Sequence, residues 1–316
     1  ALTSPVTSST WRPAPGSPRH RAIAVTRPSS RSMPKKPPNA PGKRTLSASC
    51  GQLKAPGTLG ATNSLEHGLR RAVNAGELAV VYQPIVALDS NAVVGAEALV
   101  RWPQPDGHAP IGPVEFIPVA EALGLMDRIA TQVLEQACRQ LRHWQQHPGN
   151  EAFWVSVNIA PAQLANPNLA DEFIAITCAV GVSPACVTLE ITESALEQGF
   201  EEVSHVIDTL VAAGFPLALD DFGKGHSSLG RLIELPFSVL KVDRSFVWQT
   251  PDGRGAGVVS SLSQLSRHLQ LHSLGEGVET PAHEAFLREC GYAYAQGFYY
   301  GKPVAADDFP LISSTG

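Results

Sequence analysis

Seven short apolar runs recur along this chain, and each has a carboxylate, amide or lysine at or near its end. Runs of four to eight β-branched residues bounded by turn formers are typical of buried strands, whereas charged side chains are rarely buried without partners. Polar residues at strand ends escape that cost, so the pattern indicates one site built from many strands. The seven positions are Glu97, Asn158, Glu190, Asp220, Lys241, Glu276 and Gln296.

The spacing of these positions averages about 33 residues, which is the length of a strand-plus-helix repeat. Eight strands are predicted near residues 79–86, 93–101, 152–158, 186–191, 216–220, 238–243, 271–276 and 293–298. A 3.6-residue period predicts helices over 130–146, 170–180, 200–213, 227–234, 255–270 and 280–289. Strands alternating with helices predict an α/β fold with parallel strands, here a TIM-like (β/α)₈ barrel.

One interval breaks this regularity. Only about six residues, 87–92, separate the first two predicted strands, whereas a parallel crossover needs a dozen or more. The first strand is therefore predicted to run antiparallel to the second, joined to it by a hairpin centred on Asp89, Ser90 and Asn91.

The first 60 residues differ sharply in charge from the rest of the chain. They contain no Asp or Glu, and they hold ten of the 24 Lys and Arg residues together with ten prolines. Such a segment cannot offset the chain entropy lost on folding, so residues 1–60 are predicted to be a disordered tail. The rest of the chain keeps 14 basic against all 29 acidic side chains, and one folded domain is predicted over residues 65–312.

Three interpretations of the basic tail stay open. Its Arg and Lys side chains suit attachment to nucleic acid or an anionic membrane, and its Arg-rich, Ser-rich, acid-poor composition suits a targeting peptide. A flexible linker from a longer protein is favoured, because the first residue is Ala rather than Met. No nucleic-acid polymer is expected as a partner.

The apolar runs and the cysteines bear on location. A membrane-spanning helix needs roughly eighteen consecutive apolar residues. No apolar run approaches this length, so no membrane span is expected. The five cysteines show no CxxC spacing, and four fall in apolar helix or strand patterns; they are Cys50, Cys138, Cys178, Cys186 and Cys290. They are expected to be reduced core thiols of a cytoplasmic protein rather than zinc ligands.

The polar residues at the strand ends suit hard metal ions. In a parallel barrel these ends meet around one cavity, and carboxylate and amide oxygens favour Mg²⁺ or Mn²⁺ over zinc. Adjacent Asp220 and Asp221 repel unless cations or protons compensate them, and two metal ions bridged by Asp220 would do so. Paired metals activate water and clamp the oxygens of a phosphoryl displacement. Lys241 and Glu276 could then orient or deprotonate that water.

Other interpretations of the same residues stay open. The acids could form a salt-bridge network with Lys241, Arg101 and Arg244, although this would leave excess negative charge. Glu193 could support a loop or bind a metal. The loop GKGHSS contains Lys224 and His226, which could contact substrate or face solvent.

With these motifs in view, the chain resembles the EAL-domain cyclic-di-GMP phosphodiesterases, named for the triplet at 97–99. The resemblance covers about residues 65–312 and includes GELAVVYQPIV, EALVRW, FIPVAE, VNIAPAQL, LEITES, DDFGKGHSSLGRL, LKVDRSF, GEGVET and QGFYYGKP. It implies a mostly parallel TIM-like barrel with an antiparallel first strand. It also implies hydrolysis of cyclic di-GMP to linear pGpG with two Mg²⁺ or Mn²⁺ ions.

The resemblance implies a role for each matching residue. The metal ligands would be Glu97, Asn158, Glu190, Asp220 and Asp221. The catalytic pair serving the water would be Lys241 and Glu276. The residues that contact substrate or support the metals would be Gln83, Leu99, Arg101 and Gln296. Glu193 would anchor the loop beginning at Asp220, which in the family couples the active site to a homodimer interface.

Three residues depart from the family pattern without removing a ligand. Lys224 and His226 stand in a loop that usually reads DDFGTGYSSL, and Gly275 stands where Ala is usual. An active phosphodiesterase is favoured, because every expected carboxylate is present. The alternatives are a receptor or interaction module that binds the dinucleotide without cleaving it, and a different metal-dependent barrel hydrolase.

Overall fold

The computed structural model describes residues 58–105, 108–196, 200–223, 229–250 and 253–311. Within these ranges eight strands form a closed barrel in chain order. They are Ala79–Ala87 (β1), Val93–Arg101 (β2), Trp154–Ile159 (β3), Val187–Thr192 (β4), Leu217–Phe222 (β5), Val239–Val242 (β6), His272–Gly275 (β7) and Tyr294–Gln296 (β8). The predicted barrel and its eight strands are confirmed, with strand ends shifted by at most two residues.

The antiparallel first strand is also confirmed. β1 pairs antiparallel with both β2 and β8, while every other neighbouring pair is parallel. The β1–β2 connection is a tight turn in which the Asn91 N–H donates to the Ala87 carbonyl at 2.9 Å. Asn91 has φ 59°, a left-handed conformation that Asn tolerates better than most residues.

Helices connect most of the strands on the outside of the barrel. Those of the described residues are Thr58–Ala75 (α1), Pro113–Ala122 (α2), Met126–Gln145 (α3), Leu169–Val180 (α4), Phe200–Ala212 (α5), Leu229–Glu234 (α6), Arg244–Val247 (α7), Arg254–His268 (α8) and Pro281–Cys290 (α9). The six helices predicted from the 3.6-residue period are all present.

Three helices, α1, α2 and α7, were not predicted. α2 contains two prolines, which read as helix breakers, but Pro113 stands in the first turn where its missing N–H costs nothing. Phe116 and Ala120 of this helix are fully buried, so packing outweighs the remaining Pro118. α1 begins at Thr58, so its first three residues belong to the stretch predicted as the tail. Residues 1–57, and with them the rest of the predicted tail, lie outside the described residues.

α3 shows how the helices are held to the barrel. Its buried residues recur every three or four positions and form one apolar face, which includes Ile129, Val133, Ala137, Leu141 and Trp144. This face packs on β1, β2 and β3. Burial of such a stripe is the main force that fixes a surface helix.

Apolar side chains fill the barrel interior at the N-terminal ends of the parallel strands. The cluster consists of Ile85, Ala218, Val239 and Leu274, with Trp154 and Tyr294 packed against it. A Cβ at Gly95 would come within 2.7 Å of the Trp154 ring, so only glycine leaves room for this indole. The lower end of the barrel is therefore packed with side chains.

Two expectations about location can be compared with the fold. No helix of the described ranges has both the length and the apolar character needed to cross a membrane. The four cysteines in those ranges are free thiols, while Cys50 lies outside them. Cys138 is buried, but Cys178 is exposed, so the expectation of a core thiol was wrong there. Cys178 lies on the side of α4 opposite its buried residues Phe173 and Thr177.

Candidate active site

The predicted polar residues come together at the C-terminal ends of the parallel strands, as the topology requires. Their positions are Glu97 in β2, Asn158 in β3, Glu190 in β4, Asp220 and Asp221 in β5, Lys241 in β6, Glu276 directly after β7 and Gln296 at the end of β8. The β3–β4 register places Asn158 opposite Glu190. Side chains from seven strands or the residues directly after them thus form one cluster.

Lys241 is the centre of this group. Its side chain is only 1% exposed, and its Nζ lies 2.7 Å from Glu190 Oε2, 2.9 Å from Glu276 Oε1 and 3.3 Å from Asp220 Oδ1. Glu97 Oε1 is 4.0 Å away. A buried lysine needs such partners to stay charged, so this residue requires the surrounding carboxylates.

Two amides hold the Glu97 carboxylate. The Asn158 Nδ2 group donates to Glu97 Oε1 at 2.9 Å, and the Gln296 Nε2 group donates to Glu97 Oε2 at 2.6 Å. Because each carboxylate oxygen accepts from a different strand, Glu97 is fixed in one orientation. Gln296 also donates to Gln83 Oε1 at 3.2 Å.

The backbone of β5 explains how the carboxylates of two adjacent aspartates come close to each other. Successive strand residues normally point to opposite faces, but Asp221 has φ 56° and the β5–β6 register shifts between Leu219 and Phe222. This departure from regular strand geometry brings ligand oxygens of Asp220, Asp221 and Glu276 within 4.8 Å of one another. Glu276, which was assigned to the water by sequence, is therefore close enough to take part in holding a cation.

The pKa values record the crowding of these charges. Burial raises the pKa of Glu190 well above its usual value, and the charge of Glu97 adds to the effect. Burial likewise raises the pKa of Asp220 and raises that of Glu276 to about 8, both against the charge of Lys241. Burial also acts to raise the pKa of Glu97. The charge of Lys241 and the hydrogen bonds from Gln296 and Asn158 outweigh it, so the pKa of Glu97 is lowered.

Lys241 responds in the opposite way. Burial alone would lower the pKa of its ammonium group, but the four surrounding carboxylates raise it well above the usual value. The ammonium group is therefore charged at neutral pH. One such cation cannot balance the five carboxyl groups of the cluster, which are Glu97, Glu190, Asp220, Asp221 and Glu276.

This imbalance tests the two interpretations of the acids. The ion pairs described for Glu97, Glu190, Asp220 and Glu276 are all made with Lys241, whereas Arg244 stacks 5.0 Å from the centre of the Trp248 ring. Excess carboxylate charge in a buried site is costly unless protons or cations compensate it, and the raised pKa values of Glu190, Asp220 and Glu276 are the response to this cost without a metal. The donor set of carboxylate and amide oxygens fits Mg²⁺ or Mn²⁺.

The remaining predicted residues occupy different places around the cluster. Glu193 is buried just after β4, and its Oε2 accepts a hydrogen bond from the Gly223 N–H at 3.2 Å, a contact suited to loop support. Leu99 and Arg101 follow Glu97 on the same face of β2. Arg101 donates to the carbonyl of Val100 at 2.8 Å. Lys224 and His226 lie outside the described residues.

A cavity of about 170 Å³ opens beside the cluster. Its lining is Gln83, Glu97, Arg244, Trp248, Glu276, Gly277, Glu279, Gln296, Gly297 and Phe298. Trp248 and Phe298 are about half exposed and were not predicted as site residues. As apolar residues they do not belong to the pattern of polar strand ends, although Phe298 lies within QGFYYGKP and Trp248 follows LKVDRSF by two positions. A larger cavity, about 700 Å³, borders α1 and Trp102 and is lined by none of the predicted site residues.

Comparisons with known proteins bear on this arrangement. Residues 66–303 match the family model of the EAL domain. The chain is 38% identical to the bifunctional diguanylate cyclase/cyclic di-GMP phosphodiesterase MucR of Pseudomonas aeruginosa over 245 residues, which cover 77% of this chain and 35% of MucR. It is 37% identical to the cyclic di-GMP phosphodiesterase NbdA of the same organism, covering 76% and 30% of the two chains.

A solved structure has the same fold. The PaMucR phosphodiesterase in complex with c-di-GMP superposes with a TM-score of 0.72 at 37% identity, covering 77% of this chain and 98% of that one. This chain spans about a third of the length of the curated relatives it matches. The similarity therefore concerns one domain of those longer proteins.

Proposed function

This chain belongs to the EAL domain family, and we propose that it hydrolyses cyclic di-GMP to linear pGpG with two Mg²⁺ or Mn²⁺ ions. The names of MucR and NbdA include this phosphodiesterase activity. The observation that carries the proposal is the group of five carboxyl groups around one buried lysine at the open end of the barrel. Among the described residues, all carboxylates expected of an active site are present.

The residues proposed to hold the metals are Glu97, Asn158, Glu190, Asp220 and Asp221. Their oxygens come from four neighbouring strands, β2 to β5, and the hydrogen bond from Asn158 to Glu97 links two of them. When bound, the two cations would balance the carboxylate charge and act as Lewis acids on water and phosphate oxygens.

Hydrolysis to pGpG forms a bond between a water oxygen and one phosphorus atom and breaks the bond from that phosphorus to the 3′ oxygen. The water loses one proton, and the 3′ oxygen gains one. In this proposal Glu276 accepts the proton of the water, because its carboxylate faces the cavity beside the metal ligands. Lys241 holds Glu276 at 2.9 Å and in this proposal serves the attacking water by fixing the carboxylate that accepts its proton.

Substrate binding is assigned to residues of β1, β2 and β8, of which Gln83 and Gln296 line the cavity. Gln83, Leu99, Arg101 and Gln296 are proposed to contact the dinucleotide or to support the groups that do. Arg101 is the cation among them, and guanidinium groups pair well with phosphate oxygens. It stands at the end of β2, four residues after Glu97 on the same face of the strand, and the charge of Glu97 acts on its pKa against the effect of burial.

The test is incubation of the purified chain with cyclic di-GMP and Mg²⁺ or Mn²⁺, with the products separated by chromatography. The proposal expects pGpG to form with either metal and to disappear when a chelator is added. Tight binding of cyclic di-GMP without any pGpG would instead support the receptor function. If the chain neither binds nor hydrolyses cyclic di-GMP, both the enzyme and the receptor proposals are wrong and the fold alone is shared with the family.

A cytoplasmic location and a homodimer also belong to this proposal. The four free cysteines of the described ranges agree with a reducing compartment. The homodimer is proposed from the resemblance to the EAL-domain family alone. Light scattering during size-exclusion chromatography tests the dimer, which a monomer mass at micromolar concentration would contradict.

A further inference from the structure

Gln83 lies directly opposite Glu97 in the antiparallel β1–β2 pair, and it is joined to that carboxylate through Gln296. We propose that Gln83 is a positioning residue, which holds the amide of Gln296 in the one orientation that donates a hydrogen bond to Glu97. This inference rests on the proposed metal-dependent hydrolysis and adds to it a residue that acts on the metal ligands without touching the metals.

The orientation of both amides follows from a backbone carbonyl. The Gly301 carbonyl can only accept, so the Nε2 group of Gln83, 3.2 Å away, must face it. Gln83 Oε1 then faces Gln296 and accepts from its Nε2 group at 3.2 Å. The same Nε2 group has one further hydrogen, which it donates to Glu97 Oε2 at 2.6 Å.

The carbonyl that starts this series is itself held in place. The Gly301 N–H donates to the Gly297 carbonyl at 3.2 Å, and three residues later Val304 exchanges two backbone hydrogen bonds with Tyr82, at 2.8 and 3.0 Å. Tyr82 precedes Gln83 in β1. The segment after β8 is thus tied to the strand that carries Gln83, and the anchor moves with the barrel.

No contact on the other side of Gln296 selects its orientation. Its Oε1 atom is buried and has no hydrogen-bond partner among the described residues. Rotation of the amide by half a turn would place this oxygen against Glu97 Oε2, where two acceptors repel. Gln83 Oε1 is a second acceptor that requires the same orientation, so Gln83 adds to the preference that Glu97 sets and keeps the Nε2 group in place.

Gln83 affects the proposed metal site by fixing the orientation of the Glu97 carboxylate. Asn158 holds its other oxygen at 2.9 Å, so both carboxylate oxygens stay oriented only while Gln296 donates. Residues that orient metal ligands in this way commonly affect metal affinity or activity by about 10- to 100-fold. Gln83 is expected to act on metal affinity first, because its effect passes through a ligand.

The experiment compares Gln83→Met with wild type and with Gln136→Met. Methionine keeps the length of the side chain but removes both hydrogen-bonding ends. Gln136 makes the same kind of bond, from Nε2 to the Leu78 carbonyl at 3.0 Å, but it lies on α3 outside the barrel. Mn²⁺ affinity is measured on metal-depleted protein from the paramagnetic resonance signal of free Mn²⁺, and circular dichroism checks the fold.

We expect Gln83→Met to weaken Mn²⁺ binding about 10-fold, while Gln136→Met binds Mn²⁺ like wild type. At saturating Mn²⁺ the KM for cyclic di-GMP should stay within about twofold of wild type, since no substrate contact is lost. An unchanged Mn²⁺ affinity, or a raised KM with unchanged Mn²⁺ affinity, would overturn the positioning role in favour of direct substrate contact.

A double variant tests whether Gln83 acts through Gln296. Gln83→Met/Gln296→Met should bind Mn²⁺ no more weakly than Gln296→Met alone, because residues acting through one another are not additive. Losses that add would overturn the inference. If Gln83→Met does not fold, Gln83→Leu is used in its place. A separate measurement on wild type follows the exchange of the Gln296 side-chain amide protons with solvent. Slow exchange is expected, and rapid exchange would contradict the proposed hydrogen bonds of this amide.

The two proposals fail in different ways. If wild type binds Mn²⁺ but releases no pGpG, the proposed hydrolysis is wrong, while the Mn²⁺ affinities of the variants still decide the role of Gln83. If wild type hydrolyses cyclic di-GMP and Gln83→Met binds Mn²⁺ normally, only the positioning role is wrong.

Discussion

The two ends of the barrel are built from the same strands but hold opposite kinds of side chain. At the lower end Trp154, Tyr294 and their aliphatic neighbours fill the interior, and the rings of Trp154 and Tyr294 meet edge to face at 5.9 Å. At the upper end carboxylates and amides surround Lys241. The lower end stabilises the fold, and the upper end carries charge that burial makes costly.

Residues that stabilise the fold and residues of the candidate site are therefore separated along each strand. β3 begins with Trp154 in the packed end and reaches Asn158, which bonds to Glu97, four residues later. Substitutions at the upper end should therefore reduce turnover with little loss of stability. Substitutions at the lower end should do the reverse.

The largest effect is expected from Glu97→Ala at the upper end. Removing this ligand should lower turnover by about 10³-fold or more, on the order of 4 kcal/mol in the activation barrier, because both the metal site and the two amide contacts are lost. Circular dichroism and the cyclic di-GMP assay measure fold and rate.

Glu135→Ala is the matched control for that substitution. Glu135 pairs with Arg139 on the surface of α3, so its loss should leave turnover unchanged. Wild-type turnover in folded Glu97→Ala would refute the assignment of Glu97 as a metal ligand.

The next effect is expected from Trp154→Ala at the lower end. Emptying this packed site should lower the free energy of unfolding by about 3 kcal/mol, measured by urea denaturation, while kcat at a temperature where the variant is folded stays near that of wild type. Trp248→Ala is the control at the upper rim. Because Trp248 is 46% exposed, its loss should cost about 1 kcal/mol or less, and equal losses for the two tryptophans would contradict the comparison.

Metal binding should stabilise the upper end. Mn²⁺ at about 100 times its Kd should add about 2.7 kcal/mol to the free energy of unfolding, seen as a rise in Tm that a chelator reverses. Asp220→Asn should largely lose this rise, since it removes one carboxylate of the cluster. An equal rise in wild type and Asp220→Asn would place the binding elsewhere.

The smallest effect is expected from Gly275→Ala, which restores the residue usual in the family. A Cβ at this position would lie 2.5 Å from Cδ1 of Leu287, a fully buried residue, so overpacking should cost about 1–2 kcal/mol in urea denaturation. Gly257 in α8 has open space around it, and Gly257→Ala should instead stabilise by about 0.5–1 kcal/mol. A stabilising Gly275→Ala would show that Leu287 moves aside freely.

The strands and the site could be predicted because both leave local signals. An apolar run that ends in a polar residue indicates both a strand and the end of that strand which carries the candidate site. The short interval at 87–92 was enough to predict that β1 runs antiparallel to β2. The helices α1 and α2 could not be predicted in the same way, because Pro113 and Pro118 suggest a break while burial of Phe116 decides the outcome.

The finer arrangement of the site depends on geometry that no local pattern contains. Nothing in the sequence shows that Asp221 has φ 56° or that its carboxylate lies within 4.8 Å of those of Asp220 and Glu276. Gly275 was noticed as a departure from the family, but its reason, the space taken by Leu287, comes from a helix twelve residues further along. Contacts between distant segments decide such details.

The most direct test of the whole account is a crystal of this chain soaked in MnCl₂ and measured at the manganese absorption edge. The account predicts two anomalous peaks among the oxygens of Glu97, Asn158, Glu190, Asp220 and Asp221. Diffraction data of good quality with no peak at these residues, at a Mn²⁺ concentration that supports turnover, would contradict it.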